Sequence, residues 1–127
     1  MQKSKRQSGR LTVFKGREAK LNKAIFQILA VKGPRAICAL LEEIRRQRGL
    51  SETREGVLRR RVNALEKQDY LMRVGTTKTR RGYDTPLYDL TPRAELAMAL
   101  SKTDLDKFVK EADYHRLISM LDALKSS

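Results

Sequence analysis

A chain of 127 residues supplies one domain with a modest core, and nothing in its composition sets off a second globule. Its 28 Lys plus Arg face 15 Asp plus Glu, a net charge of +13, and that self-repulsion points to a polyanionic partner, nucleic acid first. No window approaches the roughly 18 apolar residues of a membrane span, MQKSKRQSGR lacks the apolar segment of a signal peptide, and the lone Cys38 excludes an internal disulfide framework or a cysteine-rich zinc site. The expected setting is the cytoplasm, on the nucleoid, with no membrane partner.

In chain order, residues 1–10 form a basic arm, with Lys3, Lys5, Arg6 and Arg10 among Gln, Ser and Gly, and are expected to be flexible. LTVFKG (11–16) reads as a short strand or an extended lead-in. Leu21, Ala24, Ile25, Ile28 and Leu29 then fall on one stripe at helical period, which predicts a first helix over 17–32. Gly33-Pro34 ends it, and Pro34 is expected to open a second helix, about 34–47, that buries Ile37, Leu40, Leu41 and Ile44. Cys38 flanks this stripe as a small buried hydrophobe. Gly49 suits a left-handed residue and Ser51 a cap, so the next helix should start at about 52, across a very short turn, and run to 68. Leu58, Val62 and Leu65 form its inner face, with Leu50 and Leu71 closing the ends.

The period then changes. YLMRV (70–74) and PLYDL (86–90) are β-prone runs around GTTKTRRGYDT, which predicts a hairpin with a basic tip at about 75–85. Thr91-Pro92 caps and opens a short helix to Leu100. A last helix is expected from Thr103 to about Leu124, with Leu105, Phe108, Ala112, Leu117, Leu121 and Leu124 on a broad apolar face. That face exceeds what a three-helix core can cover, so 101–127 is expected to serve as a dimerisation element and the protein as a homodimer.

Three helices and a hairpin in this order predict a mainly α, α+β winged helix-turn-helix over 11–100, followed by the added C-terminal helix. LSETREGVLRRRVNALEKQDYLMRV resembles the recognition helix and first wing strand of PadR-like and MarR-like transcriptional regulators. RRGYDTPLYDLTPRAELAMAL is similar to their second wing strand and the Leu-Thr-Pro that leads into the following helix. The resemblance implies double-stranded DNA as partner, with the third helix in the major groove and the wing on the backbone or minor groove.

Helical phase assigns roles within the third helix. With Leu58 facing inward and about 100° per residue, Arg60, Asn63, Lys67, Gly56 and Thr53 lie opposite, and Arg59 lies at the flank. Arg60 and Asn63 are the candidate base readers, because Arg bridges guanine O6 and N7 while Asn bridges adenine N6 and N7. Ser51 and Thr53 at the helix start suit phosphate or base contact, and Arg59 and Lys67 suit phosphate. Arg54 and Arg61 fall on the inner flank, where they should snorkel or pair with Glu42 or Glu43. Lys78, Arg80 and Arg81 mark the wing tip, and Arg35 and Lys20 are weaker candidates for backbone contact.

His115 has no second imidazole to share a metal. With no Gly-rich phosphate loop, paired catalytic carboxylates or nucleophile-base pattern, no enzyme, cofactor or metal is expected, and nothing identifies an effector ligand. The leading functional expectation is a sequence-specific transcriptional regulator. An architectural or segregation protein with little sequence preference is the alternative, as is an RNA or ribonucleoprotein component. The lack of an aromatic stacking platform in the basic regions argues against single-strand binding.

Overall fold

Phe26 lies at the centre of the interior, fully buried on the first helix and in edge-to-face contact with Phe14 at 5.5 Å between centroids. The computed structural model describes residues 11–126, so the basic arm at 1–10 lies outside the described residues. A 3-10 turn at Thr12–Phe14 leads into α1 (Ala19–Lys32), α2 (Ile37–Arg45), α3 (Glu55–Lys67), β1 (Leu71–Lys78), β2 (Asp84–Leu90), α4 (Pro92–Ser101), α5 (Leu105–Glu111) and α6 (Tyr114–Lys125). Two antiparallel strands beside a mainly helical body make this an α+β, winged-helix-like fold. The stripes read from periodicity are the core: Ile25 and Leu29 of α1, Leu40 and Ile44 of α2, and Leu58, Val62 and Leu65 of α3 meet there with Leu71 from β1. Each such side chain stabilises the fold by roughly 1.5–3 kcal/mol through the apolar area it removes from water.

Several boundaries differ from the sequence reading, each for a local reason. LTVFKG forms neither strand nor extended segment; the 3-10 turn drops Val13 and Phe14 into the core, where the Val13 carbonyl accepts a 2.7 Å hydrogen bond from Asn22 Nδ2. Pro34 does not open α2, because Arg35 is bridged to Tyr88: its N–H donates to the Tyr88 carbonyl at 3.0 Å and its carbonyl accepts from the Tyr88 N–H at 2.9 Å. The chain can turn helical only after Ala36, so the bridge ties the hairpin to the start of α2.

The turn between α2 and α3 is longer than RGLS, covering residues 46–54. It closes on its own bonds: the Thr53 N–H and hydroxyl both donate to the Leu50 carbonyl, and Arg45 Nε donates to the Thr53 carbonyl at 2.9 Å. Ser51 therefore caps nothing, and α3 begins after Arg54, which provides no side-chain cap. Gly49 does take the left-handed conformation, with φ 82°, but within this turn and clear of the helix end.

The hairpin is longer than the β-prone runs alone, because Thr76, Thr77 and Thr85 between them also suit extended backbone; a bulge interrupts the register between Arg73 and Gly75. Thr91 caps α4 as expected, accepting from the Ala94 N–H, and its hydroxyl also donates to the Asp69 carbonyl at 2.6 Å. The single last helix is two. Asp104, rather than Thr103, caps α5, and Asp113 caps α6 by accepting from the Arg116 N–H; the Asp113 carboxylate competes for backbone donors that a continuous helix would have used internally. Cys38 is exposed, since the buried face of α2 is filled by Ile37, Leu40, Leu41 and Ile44.

Candidate nucleic-acid interface

In the fold, α3 has the inner and outer faces that helical phase predicts. Leu58, Val62 and Leu65 are buried without remainder, which turns Gly56, Arg59, Arg60, Asn63 and Lys67 to solvent. Arg60 and Lys67 have no carboxylate partner among the described residues, nor does Arg54 just ahead of the helix. Arg59 differs: its guanidinium holds Glu55 one turn back at 2.7 Å, so the face carries one neutralised pair near its start. Arg61 points inward as expected but meets Glu18 on the approach to α1 at 3.8 Å, rather than Glu42 or Glu43, because this flank of α3 faces α1 and not α2.

Glu43 is committed elsewhere. Lys32 Nζ lies 3.1 Å from its carboxylate and Arg46 lies 3.5 Å away. The hydrogen bond from Lys32 is the main reason that the Glu43 carboxyl titrates below its ordinary range; partial burial opposes this, and the charges of Lys32, Arg46 and Arg35 add to it. With its folded pKa lowered, this cluster stabilises the fold at neutral pH and loses that contribution as the pH falls through the lowered value.

The hairpin tip is built tightly. The Thr79 N–H donates to the Tyr83 carbonyl at 2.7 Å, the Gly82 N–H donates to the Thr79 carbonyl, and Gly82 takes φ 86° to complete the reversal. Arg80 and Arg81 stand exposed at the apex with no acidic partner among the described residues. Lys78, in contrast, lies 2.8 Å from Asp84 across the strands.

The remaining candidates divide. Lys20 reaches the α2–α3 turn, where its ammonium rests against Gly49; any side chain at Gly49 would displace it. Ser51 is exposed in the same turn, while the Thr53 hydroxyl is spent on Leu50. Arg35 is half-buried at the hairpin edge, with Nη1 donating to the Pro34 carbonyl. Two sets of residues went unnoticed in the sequence. Arg73 at the base of β1 bonds Glu66 of α3 at 3.1 Å and covers the Tyr88 ring, so it braces wing against helix. Arg46 and Arg48 stand exposed in the long turn, and counting charge there rather than on helix faces would have found them; Arg54, expected on the inner flank of α3, is instead exposed at its N-cap.

Among the described residues no helix is long and apolar enough to cross a membrane, and no group of His, Cys, Asp and Glu is placed to hold a metal ion.

No family model matches the chain, and no curated protein matches it. Among solved structures, it is similar to the crystal structure of the diamide-treated YodB from B. subtilis, with a TM-score of 0.55 and 17% sequence identity over 80% of this chain and 88% of that one. At this identity the likeness bears on the fold, and function has to be argued from the side chains.

Proposed function

We propose that the protein is a sequence-specific, double-stranded DNA-binding transcriptional regulator that works as a homodimer. The observation that carries this reading is the placing of exposed basic side chains together with Asn63 on the outer face of α3 and at the hairpin apex of a winged-helix-like fold. Arg60, Lys67, Arg80 and Arg81 are left bare on the two elements that a winged helix offers to a duplex. Asn63 beside Arg60 supplies the second side chain suited to a base edge, so α3 is assigned to the major groove and the apex to backbone or minor groove.

The exposed apolar side chains of α5 and α6, Leu105, Val109, Ile118, Leu121 and Leu124, support pairing of two copies, which would present two recognition helices to half-sites about 34 Å apart. Selection from a random duplex pool, followed by competition at physiological salt, tests the reading. A recovered sequence that survives excess random DNA is the expected outcome. Affinity set by length alone and collapsing with salt would assign the protein to DNA coating instead.

A further inference from the structure

Gly56 is a glycine that the fold itself does not require. It lies in the first turn of α3 with an ordinary negative φ, so its backbone conformation suits any residue. A Cβ built there would meet only the Arg60 guanidinium, at 3.9 Å, which is normal van der Waals contact, so packing within the chain does not exclude a side chain either. At an exposed helical position alanine would hold the helix better. What accounts for the missing side chain is a surface outside the chain that comes close to α3.

The next residue, Val57, is 40% exposed. Together with Leu21 it gives the apolar lining of a shallow cleft of about 310 Å³ between α1 and α3, whose charged lining is Arg17, Glu18, Arg60 and Arg61. Valine loses rotamer freedom in a helix, and here it does so with much of its surface still in water. Three residues before Arg60, it stands on the same side of α3 and roughly 4.5 Å from it along the axis. In the major groove the apolar feature that varies with sequence is the C5 methyl of thymine.

We propose that the first turn of α3 lies directly against base edges, with Val57 on the C5 methyl of a thymine near the base that Arg60 reads, and Gly56 leaving room for that approach. The contact rests on the assignment of α3 to the major groove. It adds to that assignment a specificity element that is neither charged nor hydrogen-bonding.

In the duplex recovered by selection, each thymine is replaced in turn by deoxyuridine, which removes only the methyl group. Replacement at one position in a half-site should weaken binding of the full chain about fourfold, the effect of one buried methyl. Val57→Ala should bind the thymine and uracil forms of that position equally, which separates the contact from any change that the methyl makes to the duplex itself. Gly56→Ala should melt no lower than the unaltered chain and yet bind the selected duplex about tenfold more weakly, because its methyl intrudes on the approach. Tolerance of uracil at every position, a Val57→Ala protein that keeps the full difference, or full affinity in Gly56→Ala would overturn the contact and leave a sequence-specific regulator standing. A pool that yields no selected sequence overturns the regulator and the contact together.

Discussion

Arg59, Arg60 and Arg61 are neighbours in sequence with three different surroundings. Arg59 is tied to Glu55, Arg61 is turned to Glu18, and Arg60 alone is exposed without a carboxylate. Replacing Arg60 by Ala should cost about 1–3 kcal/mol of binding to a selected duplex and relax base preference at one position. Uniform weakening across sequences, measured on a panel of point-substituted duplexes, would instead assign Arg60 to a phosphate. Arg59→Ala should cost less, because its charge is already half satisfied within α3. The division among the three was legible from helical phase, which depends only on spacing. The partner of Arg61 was not, since Glu18 comes alongside only when α3 packs on α1.

The hairpin shows the same limit one level up. Its existence followed from β-prone runs around a glycine-containing polar stretch, and its basic apex followed with it. That Asp84 would neutralise Lys78 depended on strand register, set by the bulge after Arg73. Arg80→Ala with Arg81→Ala should therefore lower the slope of log affinity against log salt by roughly one for each phosphate that is no longer neutralised. Lys78→Ala alone should change it less, and an unchanged slope in the double variant would remove the wing from the interface. The helices were likewise legible as elements but not at their ends. Pro34 was a sound N1 candidate until Arg35 gave its backbone to Tyr88, and Ser51 a sound cap until the Thr53 bonds delayed α3.

On the scale of the molecule, α5 and α6 together expose a run of large apolar side chains, with Leu105, Ile118, Leu121 and Leu124 at least half exposed. Leu121→Asp removes nothing from the core, so it should leave the fold intact and convert the proposed homodimer to a monomer in sedimentation equilibrium. A dimer that persists in this variant would shift the interface off α6. The sequence by itself determined the charge excess, the helical stripes that became the core and the change of period that marks the wing, because composition and spacing are properties of the chain before it folds. Only the tertiary structure decided which cations are neutralised, that Cys38 faces solvent, that two capping aspartates divide the last helix, and that Leu21, Val57 and Arg60 share one cleft. Those outcomes rest on which distant residues meet and on local caps competing with helix continuation, and neither is written in the spacing of any one segment.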